Sequence, residues 1–72
     1  MNEEEREILE SFIGIYCVVS VPNFYEESRP FYYYGTVRKV GQQFLILNNE
    51  GKPPTMIKLD NILSIREQRR RR

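Results

Sequence analysis

Apolar residues follow two different periods along this chain, and the change of period separates a helical segment from strand segments. Over residues 3–13 the apolar positions lie four apart, which predicts a short amphipathic helix that ends at Gly14. We expect Arg6 to reach Glu10 on the solvent side of this helix. The apolar positions with this spacing are Ile8, Leu9, Phe12 and Ile13.

From residue 15 onward, short runs rich in β-branched and aromatic residues predict strands. Gly35, in the middle of one run, marks a bend or a close approach by another backbone. The last two runs are separated only by Asp60-Asn61, too short for a comfortable hairpin, so we expect each to present an unpaired edge. The predicted strands are Ile15–Val21, Phe31–Val40, Phe44–Leu47, Thr55–Leu59 and Ile62–Ile65.

Alternation assigns faces within some of these strands. Cys17, Val19 and Val21 fall on one face of the first strand, with Val18 and Ser20 on the other. In the second strand, Tyr33 and Val37 share one face, and the opposite face holds Tyr32, Tyr34 and Thr36. The run from residue 44 to 47 is apolar throughout, which suggests a strand covered on both sides and leaves its phase open.

Turn-forming residues connect these strands. A loop bracketed by Pro22 and Pro30 follows the first strand, and Gly41-Gln42-Gln43 predicts a tight turn after the second. Residues 48–52 predict a hairpin loop. Residues 1–67 therefore form one domain, with the helix at about 3–13 and the strands at about 15–66, and residues 68–72 are expected to be a disordered basic tail.

The small size of the chain places a demand on its stability. A core built from 72 residues rarely supplies more than about 3 to 5 kcal/mol of net stability without a disulfide, a metal or association. The single cysteine, Cys17, and the absence of histidine exclude an internal disulfide and any plausible zinc site. Association is the remaining candidate, and we expect no cofactor.

Charge is segregated between the two ends of the chain although its sum is only +1. Five glutamates lie within the first ten residues, and four arginines, Arg69, Arg70, Arg71 and Arg72, end the sequence. We expect a soluble intracellular protein, because the sequence has neither a secretory signal nor a membrane span. With no histidine and no glycine-rich phosphate loop, catalysis is not expected.

The motifs resemble those of the Sm-like family, which includes Sm, LSm and the bacterial Hfq proteins. The family glycine of the second strand is similar in placement to Gly35, and residues 35–47 are similar in spacing to the corresponding Hfq segment. The second family motif, roughly apolar-Arg-Gly-Asp-Asn-apolar, is matched by residues 57–63 with Lys58 for arginine and Leu59 for glycine.

The resemblance implies a mainly β fold: an N-terminal α-helix followed by a strongly bent five-stranded antiparallel Sm-like barrel, of the SH3-like or OB-like kind. It also implies a homo-oligomeric ring of about five to seven subunits, in which the fourth strand of one subunit pairs with the fifth strand of the next. Aromatic side chains facing away from the core are common interface anchors. The expected interface residues are Tyr32, Tyr34, Met56, Ile57, Leu59, Ile62, Leu63 and Ile65.

In this family, single-stranded RNA binds around the central pore, at the loops after the second and fourth strands. The chain departs from the family pattern because Gly41 replaces the usual aspartate and Leu45 the asparagine that reads a uracil edge. Cationic and amide side chains that remain would contact phosphates and bases. The expected RNA-binding residues are Gln42, Gln43, Lys58, Asp60, Asn61 and Arg69 to Arg72.

Other interpretations of the same residues remain open. Lys58 is about equally well explained as a solvated charge or an ion pair with Asp60, and Asp60-Asn61 is slightly better explained as a turn. Tyr32 and Tyr34 would suit base stacking as well as a subunit interface, which we favour. The alternatives to an RNA-binding ring are a structural or protein-interaction ring, encoded by a phage or mobile element, and a monomeric SH3-like peptide-binding module.

Overall fold

Five antiparallel strands form one open sheet, and a single helix precedes them in the computed structural model. The structure describes residues 2–26 and 28–69. The sheet order is β4-β3-β2-β1-β5, so the fold is mainly β, as predicted. Within the described residues, no helix has the length and apolar character needed to cross a membrane. The elements are α1 (Glu3–Glu10), β1 (Tyr16–Val21), β2 (Phe31–Val40), β3 (Phe44–Asn48), β4 (Thr55–Lys58) and β5 (Ser64–Glu67).

The inward face of the sheet forms the core. Residues directly opposite each other on neighbouring antiparallel strands project to the same face, so the register identifies this face strand by strand. Leu45 and Leu47 lie on it, which resolves the phase of β3, while Phe44 on the other face is 39% exposed. The core residues are Leu9, Cys17, Val19, Val37, Val40, Leu45, Leu47, Ile57 and Leu59.

The predicted faces of β1 are confirmed, although its outward side is covered as well. Val18 and Ser20 lie opposite Tyr34 and Tyr32 of β2, on the outward face, yet both are buried. The hydroxyl of Ser20 is 2.6 Å from that of Ser64 in β5, which satisfies its hydrogen-bonding need. Residues 17–20 of β1 are therefore sequestered from water on both faces of the sheet.

Gly35 of β2 lies in close contact with β3. A Cβ atom at this position would lie 2.9 Å from the carbonyl oxygen of Asn48 and 3.2 Å from Cβ of Leu47. A close backbone approach, one of the two reasons predicted for this glycine, is confirmed.

A β-bulge interrupts the alternation of β2 near its end. The pairing with β3 shifts between Val37 and Lys39, which leaves Arg38 as the extra residue. Val37 and Val40 are both buried, whereas Arg38 and Lys39 between them are both exposed. The bulge thus places two consecutive cations on the outward face.

The helix is shorter than predicted. It ends at Glu10 rather than near residue 13, because the following residues join the sheet: Ile13 bridges Val37, and the Gly14 N–H donates to the Val37 carbonyl at 2.7 Å. The predicted stripe is also partly wrong. Leu9 is buried and Phe12 packs against the core, but Ile8 and Ile13 are about half exposed.

The last two strands lie at opposite edges of the sheet and do not pair with each other, as predicted. Their bounds differ from the prediction, since β4 ends at Lys58 and β5 begins at Ser64. Residues 59–61 instead form one 3₁₀ turn. Leu59 and Ile62 are apolar because they pack on the core from this connection, not because they belong to strands.

Cys17 lies on the inward face of β1 and is fully buried. Burial raises the pKa of its thiol, and the negative charge of Glu67 raises it further. Because the thiolate is the reactive form, this side chain acts as a small apolar core residue.

We predict that Gly35→Ala destabilises the protein by about 2 to 3 kcal/mol, since the added methyl group overlaps backbone atoms that have little room to move. Gly51→Ala is the control: Gly51 has a φ of 76° and nothing within 4 Å of the added atom, so only the backbone cost of about 1 kcal/mol applies. Urea unfolding at one protein concentration measures both. A Gly35→Ala loss no larger than that of Gly51→Ala would contradict the close contact.

Candidate functional site

Four of the predicted RNA-binding residues line one polar cleft. Gln42 and Gln43 come from the turn between β2 and β3, and Lys58 and Asp60 come from the end of β4 and the 3₁₀ turn. The cleft has a volume of about 370 Å³ and is completed by Arg6 and Leu59. We call it the turn cleft.

Two backbone hydrogen bonds fix the geometry of the turn cleft. The Leu59 N–H donates to the Gln43 carbonyl at 2.8 Å, which joins the two turns directly. The Gly41 N–H donates to the Phe44 carbonyl at 2.7 Å and closes the turn after β2. The amide side chains of Gln42 and Gln43 are exposed on this rigid frame. They are therefore available to donate and accept hydrogen bonds with a ligand.

Arg6 does not lie on the solvent side of the helix as predicted. Its guanidinium donates to the carbonyl of Gly41 at 2.9 Å and to that of Val40 at 3.2 Å, and its Nε lies 3.7 Å from a carboxylate oxygen of Glu10. The ion pair with Glu10 is thus present, but the side chain turns inward to the sheet. A planar guanidinium suits two adjacent carbonyls, so Arg6 ties α1 to the turn that carries the glutamines.

The remaining predicted RNA-binding residues are not in the turn cleft. Asn61 is exposed and lines a separate cleft of about 170 Å³, together with Tyr33 and Lys58. Arg69 is exposed. It follows Gln68, whose N–H donates to the carbonyl of Tyr16, the first residue of β1. Arg70, Arg71 and Arg72 lie outside the described residues.

The predicted interface residues divide into two groups. Ile57 and Leu59 are buried in the core of their own chain, so their side chains are not presented to a partner. Ile62 and Ile65 are partly buried and pack against this core. The others are well exposed, with exposed fractions between 47% and 61%. The exposed residues of this set are Tyr32, Tyr34, Met56 and Leu63.

A second candidate surface is the outward face of the sheet. Its aromatic residues Tyr32 and Tyr34 accompany four cations from β2, β4 and β5, and among the described residues no outward strand position carries a carboxylate. Lys58 belongs both to this face and to the turn cleft. We call this surface the cationic sheet face, and its members are Tyr32, Tyr34, Arg38, Lys39, Lys58 and Arg66.

The register gives the spacing of this face. Tyr34, Val18 and Arg66 lie opposite one another on β2, β1 and β5, so the tyrosine and the arginine are two strand spacings, or about 10 Å, apart. Tyr32 and Tyr34 are two residues apart on one strand, a separation of about 7 Å. The face combines flat rings with positive charge at the spacing of a few nucleotides.

The sequence analysis missed three cations of this face, Arg38, Lys39 and Arg66. Alternation alone would place Arg38 and Lys39 on opposite faces of β2. Only the bulge leaves both exposed on the outward face. Arg66 was assigned to the end of the domain, because β5 was predicted to end at Ile65. A correct register would have shown which strand positions face outward, and that every charged residue among them is a cation.

Comparisons of this chain with family models, with curated proteins and with solved structures found no match.

We predict that Arg6→Gln lowers the free energy of unfolding by about 1 kcal/mol, because two partly buried carbonyls lose a charged donor. Exposure of about a third of the side chain keeps the loss modest. Arg29→Gln is the control, since Arg29 is 80% exposed and contacts only Glu26 among its charged neighbours in the described residues. Urea unfolding gives the stability, and hydrogen exchange at Gly41 reports the turn. Equal effects of the two changes would refute the role of Arg6.

Proposed function

We propose that this protein is a non-enzymatic, single-stranded RNA-binding protein. The observation that carries the proposal is the cationic sheet face, where tyrosine rings and four cations share a surface free of outward carboxylates among the described strand residues. Single-stranded nucleic acids bind proteins through this combination of base stacking and phosphate attraction.

The two kinds of side chain have distinct tasks in this proposal. Tyr32 and Tyr34 offer stacking surfaces, each worth about 1 to 3 kcal/mol per base. Arg38 and Lys39, farther along β2, and Arg66, across β1 from Tyr34, neutralise phosphates. Neither kind of contact reads base identity, so we expect weak sequence preference.

The turn cleft extends this surface at Lys58. Gln42 and Gln43 supply donors and acceptors for the edges of one or two bases. The uridine pocket of the Sm-like proteins is not reproduced, because Leu45, at the position of its base-reading asparagine, is fully buried in the core. Selectivity in the cleft therefore depends on the two glutamine amides.

We also propose that the sheet curves into an Sm-like barrel and that copies associate into a homo-oligomeric ring of about five to seven subunits. The support is physical: β4 pairs only with β3 and β5 only with β1 among the described residues, so two different edges have unpaired backbone groups. Joining these edges head to tail would satisfy both and would enlarge a small core. A ring would also repeat the RNA-binding surface and raise its avidity.

The RNA proposal predicts a specific loss of salt dependence. Replacing Lys39 and Arg66 together by glutamine should lower the slope of log affinity against log salt by about 1.4 per subunit, since two phosphate contacts are removed at about 0.7 each. Fluorescence anisotropy with labelled oligo-uridine over a salt series measures the slope. The variant Arg29→Gln with Lys52→Gln changes the net charge equally but lies in loops away from this face, and should leave the slope unchanged.

Two further variants separate the parts of the surface in the same assay. Tyr34→Leu should weaken binding roughly fivefold or more, whereas Tyr25→Leu, in a loop and 97% exposed, should not. Gln43→Ala should also weaken binding, since Gln43 lines the turn cleft and is not a member of the cationic sheet face. Absence of wild-type oligo-uridine binding at low salt would refute the proposed function.

The assembly proposal predicts that Glu67→Pro yields a folded monomer. The Gln68 N–H donates to Tyr16, and donors alternate along an antiparallel ladder, so the Glu67 N–H faces the open edge of β5. Proline removes that donor without breaking the pairing with β1. Glu67→Ala keeps the donor and should keep the assembly. Native mass spectrometry measures both, and a monomeric wild-type protein would contradict the ring.

A further inference from the structure

A groove with apolar walls and a polar rim separates α1 from the segment that leads into β5. Its volume is about 430 Å³, and its walls include Ile8 and Leu9 from the helix and Ile62, Leu63 and Ile65 from the other side. Ile8 is 53% exposed and Leu63 is 61% exposed, although both line the groove. Single exposed apolar residues are common, but several that face one groove mark a contact surface.

Carboxylates stand at the rim of this groove. Glu5 and Asp60 both line it, and neither has an ion-pair partner within residues 2–26 and 28–69. The carboxylate of Glu5 receives only a long hydrogen bond, 3.4 Å, from the side chain of Asn2. Glu3 and Glu4 add exposed negative charge on the same helix. A ligand of this groove therefore meets apolar walls and a negative potential.

The neighbouring subunit of the proposed ring would not fill this groove. Ile65, which lines it, lies opposite the core residue Val19, so the groove opens on the inward side of the sheet. The exposed side chains of β4, Met56 and Lys58, project from the outward face. A β4 strand added to the edge of β5 would keep them on that outward side.

We propose that this groove is the docking site for a segment of a protein partner that combines apolar side chains with lysine or arginine. Apolar residues of the partner bury Ile8 and Leu63, and its cations pair with Glu5 and Asp60. RNA does not fit the same place, because its phosphates would face unpaired carboxylates. The groove lies apart from the cationic sheet face, although it shares Leu59 and Asp60 with the turn cleft. Docking of the partner segment does not depend on RNA binding.

Binding of three short fluorescent peptides tests the docking site. The probe alternates leucine with lysine, one comparison peptide has serine in place of each leucine, and the other has glutamate in place of each lysine. We expect anisotropy to show binding of the leucine-lysine peptide alone, with affinity that falls as salt rises. Equal binding of the serine-lysine peptide, or no binding of the leucine-lysine peptide, would overturn the proposal.

Variants locate the peptide on the protein. Ile8→Asn with Leu63→Asn should weaken peptide binding roughly tenfold, and Glu5→Gln with Asp60→Asn should remove most of its salt dependence. The control is Met56→Asn, since Met56 is 60% exposed but lies on the outward face. All altered side chains are exposed or lie at the groove rim, and circular dichroism verifies folding. Equal weakening by Met56→Asn would show nonspecific adhesion and refute the site.

The same variants separate this proposal from the proposed function. Ile8→Asn with Leu63→Asn should leave the affinity for oligo-uridine unchanged, because neither residue belongs to the RNA surface. A parallel loss of peptide and RNA binding would contradict two independent sites.

Discussion

The alternation of inward and outward side chains in β2, corrected once by a bulge, is the constraint on which every surface of this protein depends. Val37 and Val40 both face the core only because Arg38 is inserted between Val37 and Lys39. Without the insertion, Val40 would face water and the turn after β2 would leave the sheet on the wrong side. One extra residue therefore serves the core and the cationic sheet face together.

Much of the fold was predictable because its signals are local. The bounds of β2, the turn at residues 41–43 and the glycine contact at Gly35 follow from residue types at single positions. The C-terminal end of α1 and the start of β5 were not predictable in this way, since both depend on tertiary pairing. Ile13 leaves the helix to meet Val37, a partner more than twenty residues away, and no local pattern encodes that competition.

The candidate site shows the same division between local and tertiary information. The turn cleft joins two loops that the Sm-like resemblance had brought together, and Leu59 and Gln43 are hydrogen-bonded there. Arg6 was misassigned, because a long side chain on a helix selects its partners only after the helix docks. The cationic sheet face was missed for a related reason: its cations come from β2, β4 and β5, and only the register aligns them.

The charges of the folded chain are separated in space as well as in sequence. The exposed side of α1 is rich in glutamate, whereas the outward face of the sheet carries only cations among its described charged positions. The molecule measures 31 × 29 × 20 Å, and charges in physiological salt are screened beyond about 8 Å. The charges at the distant ends of these two surfaces therefore influence each other little. The net charge of +1 is the sum of an acidic surface on α1 and a cationic surface on the sheet. These two surfaces would let a polyanion and a basic segment bind at the same time.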